Sequence, residues 1–467
     1  MSAPPTSTDT GADAPQSRDG PVLRAGWGYA DVSDKIAGIV LSGRFGWKWW
    51  TAFLVASAGV MALLVAVSWL LVKGIGIWGV DIPVAWGFAI GNFVWWIGIG
   101  HAGTFISAVL LLLRQRWRTS INRFAEAMTL FAASIAGIFP ILHLGRPWFF
   151  YWLVPYANVM NVWPQWRSPL VWDFFAIATY LSVSLLFWYV GLIPDLGTLR
   201  DRAGHRGQRG AQIAYGLLAL GWRGEARHWA RFENAYLLLA GLATPLVVSV
   251  HTIVSLDFAV GNTPGYHSTI FPPYFVAGAL FSGFAMVLTL AIPLRAAFGL
   301  QDFITGRHLA NAAKVLLATS WLVGYGYLSE IFTAFYSGDK YEIFMTLNRW
   351  TGPYAPVYWS MLACNIVLPQ LLWWRRLRHS VAALFVLSLV INAGMWMERF
   401  LIVVSSLHRD YLPSAWGMFY PTRWDWITLF GSIALFVWLF LLFVRFLPLI
   451  SMAEMRELVR DSAEGKA

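Results

Sequence analysis

The sequence predicts an all-α membrane protein of about ten transmembrane helices, arranged as two four-helix bundles plus flanking helices. Three observations predict it. First, 58% of the 467 residues are hydrophobic and only 12% are charged, with 28 Trp and 32 Phe and a mean hydropathy of +0.57. Soluble domains carry roughly twice that share of charge, and a chain this apolar could not cover a water-facing surface with polar groups. Second, ten apolar runs reach the roughly 20 residues that a helix needs to cross a bilayer. Third, Lys and Arg alternate between the connections on the two sides.

Residues 1–20, rich in Ser, Thr, Pro, Ala, Gly and Asp, read as a disordered tail and contain no apolar core of a cleavable signal peptide. Residues 21–48 are mixed and suit the membrane surface, so 1–48 form an N-terminal tail. Spans are expected at about 49–72, 85–113, 121–144, 169–192, 234–256, 272–296, 309–335, 356–374, 380–404 and 425–447. A polar tail, helical at first, follows over 448–467. With the N-terminus inside, the inside segments hold 26 Lys and Arg and the outside segments 8. That bias predicts both termini in the cytoplasm and residues 145–168 outside. A faint repeat relates Gly100-His-Ala-Gly-Thr-Phe to Gly278-Ala-Leu-Phe-Ser-Gly-Phe, and Arg123-Phe-Ala-Glu-Ala to His308-Leu-Ala-Asn-Ala. It suggests bundles over about 85–256 and 272–404, within a ten-span domain of residues 49–447.

The formal net charge of +10 is then a property of cytoplasmic loops rather than a sign of nucleic-acid binding. One cysteine, Cys364, cannot build a disulfide, a structural zinc site or a cysteine-ligated iron–sulfur cluster. Any iron–sulfur chemistry belongs to a partner.

Polar groups inside a bilayer are costly and each calls for a reason. Span three starts inside near residue 121 and rises about 1.5 Å per residue, which brings His143 to the outer face. Asp173 opens span four at that face, and His251 and Asp257 close span five there. Arg146 follows His143 directly. These five residues are expected at one depth, within a loop dense in aromatics that include Trp148 and Trp172. Apolar, ring-shaped walls with a few polar groups suit a quinone headgroup. A His and an Asp beside quinol hydroxyls can hydrogen-bond them and accept their protons, and Arg146 would hold Asp173 ionised. Taken singly, each residue has a plainer reading: the aromatics as an interfacial belt, Arg146 as a cap on span three, Asp173 as an N-terminal helix charge. His143 and His251 at one depth would also suit bis-His haem ligation, but a di-haem cytochrome needs a further pair lower down, and no haem is expected in this chain. His101, among small residues near mid-membrane, is either a structural histidine or part of a proton path running from Glu126 (low) through His101 to Asp257 and His251 (high). Glu398 and Arg399 read as a structural pair.

The ten-span layout, Gly100-His101-Ala-Gly in span two, and His143-Leu-Gly-Arg146-Pro followed by Asp173 resemble the NrfD/PsrC-type membrane subunits of bacterial respiratory complexes. Length and the Arg-rich segment after span four most resemble the ActC subunit of alternative complex III. The resemblance covers about residues 45–450. It implies a quinol-binding subunit of a quinol:cytochrome c oxidoreductase in the bacterial inner membrane, acting on menaquinol or ubiquinol at the outer face. It further implies coupling to proton translocation, with His143, Arg146 and Asp173 at the quinol and His101 and Asp257 in the proton path. The implied partners are a periplasmic iron–sulfur (molybdopterin-like) subunit, multihaem cytochrome c subunits, a related ten-span subunit and a haem–copper oxidase. The second bundle has Leu328 where a second His143 would align. Two alternatives stay open: the quinone-linked anchor of a polysulfide- or nitrite-type reductase, and a secondary transporter, for which paired bundles with midplane polar residues would also serve.

Overall fold

The computed structural model describes residues 21–24, 26–42, 45–154, 163 and 165–463. The tail expected over 1–20, part of the outer loop, and Arg18, Arg44 and Lys466 of the charge count lie outside the described residues. The described residues contain ten helices long and apolar enough to cross a membrane. They are Trp47–Lys73, Phe88–Leu112, Asn122–His143, Pro169–His205, Ala226–Ala259, Phe271–Ala297, Gly306–Ser337, Ala355–Trp373, Val381–Leu407 and Arg423–Phe446, called spans one to ten. All ten fall on the expected runs.

Packing gives the chain two bundles. Spans two to five pack on one another, as do spans six to nine, and the two groups meet where span two crosses span six. Spans two and six are buried along most of their length because helices surround them. Span one packs chiefly on span ten, and residues such as Leu54, Val55, Met61 and Val72 leave its other face apolar and exposed, as lipid requires. The small residues of span two allow its tight approach to span three: a Cβ on Gly103 would lie 2.0 Å from the Ala125 carbonyl oxygen.

Two spans run longer than hydropathy suggests. Span four, expected to end near 192, continues to His205; span five, expected to start near 234, starts at Ala226. The helix does not stop where the apolar run stops, because its polar extension still has a face to bury: Asp195, Leu196, Leu199 and Ala203 are buried against neighbouring helices. A surface helix (Tyr29–Leu41), a short helix (Arg209–Leu218) and a helix after span ten (Met452–Ala463) gather with these extensions at one end of the bundle, the tail end.

The tail end is held by buried charge. Arg123 donates to Glu126 (3.0 Å), Asp195 (3.2 Å) and the Gly191 carbonyl (2.6 Å), and Tyr236 donates to Glu126 (2.9 Å). The final helix closes this chamber. The Ala453 amide donates to Asp195 (3.0 Å), Glu454 takes Asn122 (3.0 Å) and Arg118 (3.1 Å), and Arg456 donates to Ser33 (2.8 Å).

In the second bundle Glu398 and Arg399 pair at 2.9 Å, as expected, with Tyr327 donating to Glu398. Leu328 points out of the bundle, 68% exposed. A cavity of about 30 Å³ opens there, lined in part by Tyr274, Tyr327, Glu330, Arg349 and Glu398. That is room for about one water molecule.

Candidate functional site

At the end opposite the tails, the first bundle opens into a cavity of about 360 Å³, within the range of small-molecule sites. Span two supplies Ile90 and Phe93, with Trp86 just before it; span three supplies Gly137, Pro140, Ile141 and His143; span four supplies Leu170, Asp173, Phe174 and Ile177; span five supplies Asp257. The helical period explains the selection: positions three and four residues apart share a face, so 137, 140, 141 and 144 line it together, as do 170, 173, 174 and 177.

The walls are apolar and the polar groups few. Asp173 is 5% exposed, and its carboxyl lies within hydrogen-bonding reach of the Asp257 carboxyl. Two carboxyls can hydrogen-bond only when one carries a proton, so the pair is a place to hold one. Apart from that mutual contact of the carboxyls, the Oδ1 atoms of both aspartates and Nδ1 of His143 are buried with no partner among the described residues. Buried polar atoms usually have partners; here three such atoms belong to residues lining one cavity. The His143 ring stacks on Trp78, centroids 6.3 Å apart. Trp78 is held through its neighbours: Asp425 accepts from the Gly79 amide (2.8 Å) and the Thr422 amide (2.8 Å), and the Thr422 hydroxyl donates to the Ile77 carbonyl (2.7 Å). The loop after span one is thereby pinned to the start of span ten.

Several expected neighbours are placed elsewhere. Arg146 is exposed and forms no ion pair with Asp173 among the described residues; Gly145 (φ +73°) turns the chain between it and His143, carrying the guanidinium off the cavity. The partner of Asp173 is Asp257 instead. Trp148 and Trp172 are 54% and 38% exposed and do not line the cavity. Trp172 precedes Asp173 by one residue, about 100° around the helix, so it faces away and donates to the Trp166 carbonyl (2.6 Å). The aromatic walls are Trp86, Phe93 and Phe174.

His251 is expected beside Asp257 and is not there. It precedes Asp257 by six residues, about 9 Å along the helix, and lies deeper, against His101, ring centroids 5.4 Å apart. Both rings are buried, and neither nitrogen of His251 has a hydrogen-bond partner among the described residues. His143 and His251 therefore do not face one another as haem ligands would. Near His101, Thr129 (2.6 Å) and Tyr180 (3.0 Å) both donate to the Gly100 carbonyl, and Thr104 lies 2.9 Å from the Tyr180 hydroxyl. Thr129 follows Glu126 by about one helical turn. Polar groups thus occur at successive depths from Glu126 to His101. Sequence reasoning misses Tyr180, Trp78 and Asp195, and nothing in the sequence distinguishes Tyr180 and Trp78 from the many other aromatics.

Among the described residues no three His, Cys, Asp or Glu side chains gather to hold a metal ion. Comparison with known proteins gives the cavity a context. The family described as "Polysulphide reductase, NrfD" matches residues 79–409, which include every lining residue. A Halobacterium salinarum protein, described as a putative membrane subunit of a dimethyl sulfoxide reductase, is 24% identical over 386 residues, covering 77% of this chain and 79% of the relative. With its ten spans and a family match over most of its length, the chain belongs to the NrfD polysulphide reductase family.

Proposed function

We propose that this chain is the quinol-binding membrane subunit of a respiratory oxidoreductase of the alternative complex III type. In this reading quinol enters the cavity among Trp86, Phe93, Phe174 and Ile177. Asp173, Asp257 and His143 hydrogen-bond its hydroxyls and take its two protons, and its two electrons leave to an iron–sulfur partner outside the membrane. The observation that carries the proposal is the coincidence of three buried polar atoms, on His143, Asp173 and Asp257, that have no partner beyond the Asp173–Asp257 contact, with an apolar cavity of about 360 Å³. Arg146, Trp148 and Trp172 then act at the cavity's rim, and the loop they occupy suits the docking of the partner. The bias of Lys and Arg supports a bacterial inner-membrane orientation with the tail end cytoplasmic. Multihaem cytochrome c subunits, a related ten-span subunit and a haem–copper oxidase belong to the same reading.

The test is turnover in the purified complex. Asp173→Asn keeps size and can still donate to Asp257, so assembly should survive, while loss of the proton acceptor should lower quinol oxidation by about 10²–10⁴-fold. Unchanged turnover in Asp173→Asn and His143→Ala would remove the site from this cavity. The dimethyl sulfoxide reductase relative favours a second reading, in which the same cavity feeds a reductase. Co-purified multihaem subunits support the first; a molybdopterin subunit that reduces a small oxide or sulfur compound supports the second.

A further inference from the structure

A second, larger hollow lies at the tail end, outside both bundles. It measures about 790 Å³ and is walled by Phe45, Trp47 and Trp49 at the start of span one, Leu294 and Phe298 at the end of span six, and Phe440 at the end of span ten, with others between. Phe45 closes it from within, its ring 5.0 Å from Trp49 and 6.5 Å from Phe298. Among the described residues no Asp or Glu lines it, and the one charged lining residue is Lys48. A second cation flanks it: the Arg445 guanidinium sits 4.8 Å above the Phe45 ring. Among the described residues neither Lys48 nor Arg445 forms an ion pair. Trp49 adds an independent sign: its indole Nε1 is buried and has no acceptor among the described residues, although buried Trp N–H groups normally find one.

We infer that this groove is a binding site for one anionic diacyl phospholipid. Its acyl chains lie against Leu294, Phe298 and Phe440, an ester or phosphate oxygen accepts from Trp49 Nε1, and the phosphate is neutralised by Lys48 and Arg445. The position fits, because Trp47, Lys48 and Trp49 open span one where the apolar run begins, the level at which Trp and Lys meet headgroups. The charge fits too. A zwitterionic lipid would leave two cations without an ion pair beside a neutral headgroup, whereas basic pockets between spans select anionic ones. The proposal stands apart from the quinol cavity, which lies at the other end.

The full chain, purified in detergent and stripped of lipid, would be titrated with phosphatidylglycerol or phosphatidylcholine of matched acyl chains. Bound lipid is read by native mass spectrometry and stability by melting. One tightly held phosphatidylglycerol and a rise in melting temperature are expected, with neither for phosphatidylcholine. Lys48→Gln, at an exposed position, should weaken retention about fivefold, the worth of one interfacial charge. Ala297→Trp, also exposed and lining the groove, should abolish it by filling the space while leaving the fold intact. Equal retention of the two lipids, or an unchanged titration in both variants, would overturn the proposal. So would lipid held by the isolated chain but displaced in the whole complex, which would assign the groove to a partner helix.

Discussion

Replacing Gly103 by Ala inserts one methyl group where spans two and three touch. An ideal Cβ there lies 2.0 Å from the Ala125 carbonyl oxygen, 2.1 Å from the Thr129 hydroxyl and 2.8 Å from the Ala125 carbonyl carbon. Ordinary contact begins at 3.4 Å, so the helices must part by about 1.4 Å, the difference of the two distances. The nearest obstacle is backbone and cannot rotate away. A shift of that size stretches the Thr129–Gly100 hydrogen bond from 2.6 Å to about 4 Å, beyond any useful geometry. Overpacking costs about 1–3 kcal/mol and the lost bond about 1 kcal/mol, about 2–4 kcal/mol together. A fluorescent fusion in mild detergent should melt about 2–4 °C lower. Gly98→Ala on the same helix is the control, since its Cβ would meet nothing nearer than 3.5 Å and should leave melting within about 1 °C. If Gly103→Ala melts with Gly98→Ala, the close approach of these spans is not what the structure describes, and the placement of His101 beside it falls too.

Arg123→Met leaves Glu126 and Asp195 buried without their cation, which should destabilise the chain by about 3–5 kcal/mol; folded yield of the fusion reports it, and adding Glu126→Gln and Asp195→Asn should recover most of the loss. Orientation is testable with a membrane-impermeant thiol reagent on intact cells, in a Cys364→Ala background. Gln165→Cys, exposed at the cavity end, should label and Glu225→Cys, exposed at the tail end, should not; the reverse would invert the topology. His101→Leu in sealed vesicles of the complex should leave quinol oxidation intact and diminish the membrane potential. An undiminished potential would make His101 a structural histidine.

The spans are legible in the sequence because each is an apolar run of the right length, and the alternation of Lys and Arg fits ten of them. His143, Asp173 and Asp257 are legible for a related reason: each is a polar residue near the same end of such a run, and depth follows from the 1.5 Å rise. The pairing is not. Whether Asp173 meets Arg146 or Asp257 depends on the rotation of span four and on one left-handed glycine, neither of which has a periodic signature. His251 shows the limit of reasoning from depth, since six residues separate a group beside His101 from one that lines the cavity. Trp172 beside Asp173 shows that adjacency in sequence puts side chains on different faces. The charges beyond the spans are harder still. Asp195 lies in a stretch that reads as a polar connection, and only the packing of the extended helix against a segment more than 250 residues later makes it interior.

That last contact bears on how the molecule is made. Arg123, Glu126 and Asp195 belong to the third and fourth spans, yet the group that completes their enclosure, the amide of Ala453 with Glu454 close by, follows the tenth. During synthesis the early spans must wait in the bilayer with a wet, charged notch at their cytoplasmic end, in the orientation proposed above. A chain halted before residue 451 would keep that notch open, bearing carboxylates and Arg118 without their late partners. Such a product differs chemically from the finished one at its tail end, where the contacts of the final helix to Asp195, Arg118 and Ser33 are missing. A membrane protease or chaperone that senses exposed charge at the bilayer surface could tell the two apart there, without inspecting any of the ten spans.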